Sequence, residues 1–450
     1  MKLKNILQIA SITAISFSLI HCPADSKKDN SAALAALALS SPSATTTVSA
    51  DITGNTTWKG TVVLDGKTIN VTNNSTLTIE AGTKIYGRAG SALFIHKGSK
   101  INAVGTATNP IVFTSSKTVG QRAPGDWGGV VIIGGGTNTR TGGQTEGANK
   151  TNYGGSGDNT DSSGSLKYVR VEFAGNEVSA GDELNGISSY TVGSGTSYEY
   201  VQVHRGLDDG FEFWGGAVTV KYALVTGGMD DDFDMDEGFL GKMQFLIGHK
   251  YPTSCGGTAS SDPHGMEMDG SHNNGEASTT VTGLTSKPSV ANFTLIGAGV
   301  TGGAGMRFRE GMQGYFTSGL IYGFSKGNYM CNANAGTGQP TSPTVTNVLS
   351  ETAQTASNTI TCTSASLATA ISSGSTLAAL PITSAGSGTT DNCVFTTKPD
   401  YSTAASVGTP SASLKSDTNF NDAFFTDTQY YGGASSTNKW YEGWTEYVAK

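Results

Sequence analysis

Short runs of alternating apolar and polar residues, each closed by a glycine, recur along most of this chain. Leu77-Thr78-Ile79-Glu80-Ala81-Gly82-Thr83-Lys84-Ile85 returns 16 residues later as Leu93-Phe94-Ile95-His96-Lys97-Gly98-Ser99-Lys100-Ile101. Such alternation is the period-2 signature of a strand with one face buried. A longer unit follows. Asp208-Asp209-Gly210-Phe211-Glu212-Phe213 lies 22 residues before Asp230-Asp231-Asp232-Phe233-Asp234-Met235, and Tyr200-Val201-Gln202-Val203 keeps the same shift to Tyr222-Ala223-Leu224-Val225. Related strands start at Gly186-Ile187-Ser188, Gly265-Met266-Glu267-Met268 and Gly305-Met306-Arg307-Phe308, with wider gaps that imply inserted loops. One loop holds Cys255 and another spans about Ser271–Ser289. A preserved offset across several segments predicts coils that stack strand on strand. The expected fold is all-β, a right-handed parallel β-helix with loop insertions; a meandering sandwich predicts no constant shift. The best helix candidate is Ser364–Ser372.

Composition fits this reading. Glycine supplies 61 of 450 residues, about twice the usual share of roughly 7 %, and charged residues only 14 %. The net charge of −8 argues against a nucleic-acid partner held through phosphates. The expected organisation is a signal peptide (1–21), a Ser/Ala/Thr-rich tether (22–57), the β-helix (58–330), a Ser/Thr/Ala-rich disulfide-tied insertion (331–410) and a C-terminal cap (411–450). Met1-Lys2-Leu3-Lys4 followed by an apolar stretch from Ile6 to Ile20 has the form of a secretory signal, short for a transmembrane helix. Leu19-Ile20-His21-Cys22 resembles a bacterial lipobox of the looser spirochaetal kind, which implies acylation of Cys22 and a membrane partner through that anchor. Cys255, Cys331, Cys362 and Cys393 show no zinc-site spacing, so two disulfides of open connectivity are expected.

Asn109-Pro110-Ile111-Val112-Phe113-Thr114-Ser115, Gly125-Asp126-Trp127-Gly128-Gly129-Val130, Tyr168-Val169-Arg170-Val171-Glu172, the Asp208–Gly216 block and Trp440-Tyr441-Glu442-Gly443-Trp444-Thr445 together resemble a family of exported β-helix lipoproteins from spirochaetes and Bacteroidetes. That resemblance implies the fold and a cell-envelope location, with the outer membrane as the expected site. It implies no reaction.

Stacking converts the repeat into a surface. In Gly-Phe-Glu-Phe both Phe must face the core, so Glu212 faces away, and the same logic places Ser188, Glu212, Asp234, Glu267 and Arg307 in one outward column. A second column holds Asp209, Asp231, His264 and Ala304. Neighbouring like charges about 5 Å apart cost roughly 3 kcal/mol at an effective dielectric of 20, so a cation is one expected occupant. Calcium, tolerant of irregular oxygen sets, would use Asp209, Asp231, Glu212, Asp234 and Glu267. The plain alternative is a row of solvated turn carboxylates, for which Asp-Asp-Gly is an ordinary turn signal. A third reading is a polysaccharide hydrolase or lyase with Asp209, Asp231, Asp234 and Glu267 as acid and base. Only fragments of the polygalacturonase residue set occur, namely Asp208-Asp209 and Pro263-His264-Gly265. His96, His204, His249 and His272 are scattered and are expected to be structural or exposed. Trp214, His264 and Arg307 are candidate ligand contacts, and Tyr430, Tyr431, Trp440, Tyr441 and Trp444 an aromatic cap over the last coil. The favoured function is a non-enzymatic envelope lipoprotein binding a glycan or a host or cell-wall protein.

Overall fold

The computed structural model describes residues 45–450 except 141, 149, 155–156, 180–181, 253–259, 272–282, 332–339, 352–363, 374 and 389–394. Cys22, the signal segment, most of the tether, Cys255, His272, Cys362 and Cys393 therefore lie outside the described residues; Cys331 is buried at the end of the strand Tyr329–Cys331.

Alternation decides the strands. Thr61–Leu64, Thr68–Val71 and Thr76–Ile79 each send every second side chain into the core and leave the others partly exposed. Successive coils pair in parallel, and the molecule is a right-handed parallel β-helix. One sheet of nine strands runs from Thr68–Val71 through Phe211–Trp214 to Tyr329–Cys331. A second, larger sheet carries the remaining faces.

The early coils have three separate faces, with Leu77 paired to Ile101 and Ile69 to Leu93. One turn of the solenoid is thus 24 residues there, and the 16-residue repeat joins strands on different faces, two faces apart. The repeated Lys-Ile opens a strand in each copy, Lys84–Gly87 and Lys100–Val104. The 22-residue shift is a true coil, with Phe211 paired to Phe233 and Val201 to Ala223.

From Gly164 onward two faces fuse. The strand Gly164–Glu172 pairs with Lys100–Val104 through its first half and with Ile111–Ser115 through its second. The bend between the halves is one residue with positive φ in each coil: Tyr168, Tyr200, Tyr222, Phe245, Asn292, Ser318 and Asn347, each skipped by the pairing register. Non-glycine residues adopt this region at a cost, so the stacked neighbours must hold it.

Three expected boundaries move. Thr45–Val48 pairs with Thr61–Leu64, so coils begin inside the segment expected to be tether. Thr344–Glu351 and Ser375–Leu377 continue the large sheet inside the expected insertion. Their polar composition hid strands whose inward positions, Val345 and Val348, are apolar and buried. The helix forms at Ala365–Ser373, its amino end capped by Ser364 Oγ accepting from Leu367 N (3.1 Å), and Leu367 joins the end of the main core. Among the described residues no helix is long and apolar enough to cross a membrane.

The C-terminal aromatics cover a flank of the solenoid rather than its last coil. The positive-φ residues Tyr168, Tyr200, Tyr222 and Phe245 stack at 4.4, 4.3 and 4.9 Å, and Trp444 and Trp440 close over them. Side chains of the flank bind the segment's backbone. Gln202 exchanges two hydrogen bonds with Glu446 (2.7 and 2.8 Å), Gln244 two with Thr426 (both 2.8 Å), and His204 Nε2 donates to Val448 O.

Candidate functional site

The nine-stranded sheet places the predicted column in register: Ser188 pairs with Glu212, Glu212 with Asp234, Asp234 with Glu267, and Glu267 with Arg307. Their neighbours Phe211, Phe213, Phe233, Met235, Met266 and Met268 are fully buried in the core, so strand alternation fixes which way each carboxylate points.

The second column forms a hydrogen-bond chain from coil to coil. Asn185 Oδ1 accepts Asp209 N (3.1 Å), Asp209 Oδ1 accepts Asp231 N (2.9 Å), Asp231 Oδ1 accepts His264 N, and His264 Nδ1 accepts Ala304 N (2.9 Å). Each side chain thus satisfies a backbone donor of the next coil. Because His264 Nδ1 is an acceptor, its neutral ring carries the proton on Nε2, 3.3 Å from Glu267 Oε2. Burial pushes the His264 pKa down, with Arg307 adding to the effect, to about 3.

The two columns enclose a cavity of about 260 Å³. Nine carboxylates line it (Glu146, Asp208, Asp209, Glu212, Asp230, Asp231, Asp234, Asp262 and Glu267), together with Arg307 and Arg309. Asp209 and Asp231 are not solvated turn residues, being only 6 % and 5 % exposed. Desolvation, reinforced by neighbouring carboxylates, holds Asp208, Asp209, Glu212, Asp231 and Asp234 well above the usual carboxylate range. Burial also raises Asp230 to about 6, partly offset by Lys250, and Glu267 to about 7 despite two arginines. Asp262 moves the other way: burial would raise it, but Arg307, His264 and Ser261 together outweigh that and hold it below the usual value.

Arginine compensates charge at one end only. Arg307 reaches Glu267 and Asp262, both at 2.9 Å, and Arg309 contacts Glu267 and Asp269. At the other end two oxygen-only groups, Asp208/Asp209/Asp230 and Asp209/Glu212/Asp234, bring ligand atoms within 4.8 Å of one another. Asp234 Oδ1 there is buried without a hydrogen-bond partner. A third group, Asp231/His264/Glu267, has the same spacing but is the one that Arg307 and Arg309 already neutralise. The residues present thus fit a divalent cation at the arginine-free end.

Trp214 is not an exposed ligand platform. It is 5 % exposed and stacks on Tyr190 at 4.0 Å with a 5° interplanar angle. Trp214 belongs to a further outward column in the same register, Tyr190, Trp214, Asp236, Asp269 and Arg309. The same alternation rule that found Glu212 reaches Arg309, two residues after Arg307. Glu146 has no sequence signal, because it comes from the excursion between Ile133 and Gly164. Glu237, fully buried, pins that excursion through Tyr153 Oη (2.7 and 2.8 Å), Asn138 and Arg140 (both 3.2 Å).

One coil departs from its neighbours beneath the cleft. Gly186, Gly210, Gly265 and Gly305 precede their strands, and a Cβ there would collide with Val203, Val225, Leu295 and Ile321. In the remaining coil the pair is inverted: Asp232 takes the glycine position and Gly248 faces it, where a Cβ would meet the Asp232 carboxylate. Asp232 forms a buried ion pair with Lys250 (2.9 Å), and Lys250 Nζ also donates to Asp230 O.

A family profile described as "Pectate-lyase like beta helix domain" matches residues 50–445. No curated protein and no solved structure matches the chain.

Proposed function

Because this chain belongs to the pectate-lyase-like β-helix domain family, we propose that it is a binding protein of the cell envelope whose acidic cleft holds a divalent cation and, through it, an anionic macromolecule. The observation that carries this reading is the 260 Å³ cavity in which nine carboxylates face two arginines. Asp209, Glu212 and Asp234, with Asp208 and Asp230, would hold the ion, and calcium is the metal that suits an all-oxygen set of uneven geometry. Such an ion supplies a positive centre to which carboxylates or sugar hydroxyls of a glycan, or acidic side chains of a host or cell-wall protein, coordinate. The basic start, apolar stretch and Cys22 of the N-terminus support display on a lipid anchor at the outer membrane, as does the resemblance to spirochaete and Bacteroidetes lipoproteins. Cys331 with Cys255, Cys362 and Cys393 would supply disulfides suited to that compartment.

Calcium titration of the chelated full chain tests the reading. Saturable binding should raise the melting temperature, and Asp234→Asn should remove most of the rise. No binding at millimolar calcium overturns the cation. Unchanged processing under globomycin overturns the anchor. A second reading, a polysaccharide hydrolase or lyase, is supported by Glu267, whose pKa of about 7 between two arginines suits proton transfer at neutral pH. Cleavage of any acidic or neutral glycan that Glu267→Gln abolishes would establish it.

A further inference from the structure

A second cavity, also about 260 Å³, has the opposite character. It lies where the strands Lys84–Gly87, Ile111–Ser115 and Gly164–Glu172 meet Arg122 and the C-terminal residues Glu446–Lys450. Four cationic side chains line it, Lys84, Arg122, Arg170 and Lys450, against two carboxylates, Glu172 and Glu446. Both carboxylates are engaged within the fold. Glu172 holds Arg170 Nε at 2.8 Å and lies 3.9 Å from Arg122, while Glu446 Oε1 accepts the backbone N–H of Tyr447 (2.8 Å) and Val448 (3.1 Å). Lys84 and Lys450 form no ion pair among the described residues.

The wall adds a second observation. The hydroxyl of Thr114, a residue only 3 % exposed, lines the cavity and has no hydrogen-bond partner. A buried polar group without a partner is uncommon and marks a place for a ligand or water. Beside it Val112, Phe173 and Val448 present apolar surface. On a protein of net charge −8, a pocket whose cationic side chains outnumber its carboxylates selects anions. Arg170 is also held by Trp444 O (2.8 Å) and Arg122 by Lys117 O (3.1 Å), so Lys84 and Lys450 carry the free charge. Two fixed carboxylates in the same wall disfavour a dianion such as phosphate, and a single carboxylate matches the small charge excess. A cavity of this size lies below the ~300–1,000 Å³ of drug-sized sites, which limits the ligand body to about ten heavy atoms.

We propose that this cavity is a binding site for a small monocarboxylate with an apolar body, its head taken by the cationic rim and the Thr114 hydroxyl. The site is independent of the acidic cleft and of the function proposed for it. Calorimetry on the full chain would use phenylacetate as the probe, with acetate, benzyl alcohol and inorganic phosphate for comparison. Phenylacetate should bind saturably in the millimolar range or tighter, and each comparison compound at least tenfold more weakly. Lys84→Ala, at an exposed position, and Thr114→Val should each weaken phenylacetate at least fivefold with an unchanged melting temperature, while Asp231→Asn in the cleft leaves binding intact. The proposal is overturned if phenylacetate does not bind, if benzyl alcohol or phosphate binds equally well, or if Lys84→Ala and Thr114→Val together leave binding unchanged. Loss of phenylacetate binding in Asp231→Asn would place the site in the cleft and overturn it as well.

Discussion

Asp234 carries an oxygen that is buried, unpartnered and surrounded by other carboxylates, so either its ionised form or the proton it keeps instead is a cost to the fold unless something positive arrives. Asp234→Asn removes that charge at constant shape. In chelator at pH 8 the variant should be about 1–3 kcal/mol more stable than the parent by urea denaturation, the scale on which an uncompensated buried polar group acts, and its calcium response should disappear. Asp232 makes the contrary case, because its charge is paired. Asp232→Ala removes the carboxylate paired with buried Lys250, leaving its Nζ only the Asp230 carbonyl as a hydrogen-bond acceptor, and should cost about 3–5 kcal/mol, whereas surface carboxylates of similar size cost little. The outward column was legible residue by residue, since alternation about Phe211 and Phe213 leaves Glu212 one direction only. The Asp232–Lys250 pair was equally present in the sequence, as a glycine column broken by an aspartate opposite an aliphatic column broken by a glycine. It becomes readable only once the columns are aligned across two sheets. Trp214 shows the limit of the method: alternation states which face a side chain is on, not what covers that face.

At the scale of elements, the C-terminal segment shows how polar side chains replace a sheet edge. Gln202 and Gln244 offer a donor and an acceptor each to the passing backbone, as a neighbouring strand would, and the aromatic column supplies the buried area. Trp444, 1 % exposed, stands edge-on to Tyr168 and donates to Trp440 O (2.8 Å). Trp444→Ala should destabilise the chain by about 3–5 kcal/mol and speed proteolysis of the C-terminal segment before the coils themselves are cut. If the segment stays protected, it is the glutamine contacts that retain it. The aromatic cluster was visible as composition, but its seat was not. An end cap and a flank cover need the same rings, and the choice falls to Tyr168, Tyr200 and Tyr222, which the bend with positive φ turns outward as a stack.

For the whole molecule, the clustered acids make stability depend on pH in a fixed direction. Between pH 6.5 and 8 the unfolded chain has its carboxylates ionised and its histidines losing the half-charge they carry at about pH 6.5, while the folded chain without calcium still holds protons on Glu267, with a pKa of about 7, and on the carboxyls raised further. The folded state binds more protons there, so stability falls as pH rises, by about 1.4 kcal/mol per pH unit for each proton retained. Below pH 6.5 the buried histidines His204, His249 and His264, with pKa values lowered by burial to about 4, 4 and 3, oppose this, because they must charge on unfolding. Thermal melts in chelator should therefore decline from pH 6.5 to 8, and calcium should flatten the decline; a chelated protein with a flat or rising profile would refute the buried-acid picture. The strands, their inward and outward positions, the 22-residue coil and the acidic column follow from the sequence alone, because period-2 alternation and constant offsets are one-dimensional properties. Which strands share a face in the 24-residue coils, the burial of the column beneath Glu146, and the seat of the aromatic segment were decided only by tertiary structure. Each depends on segments far apart in the chain meeting in space, and no local pattern records how an excursion folds back over a sheet.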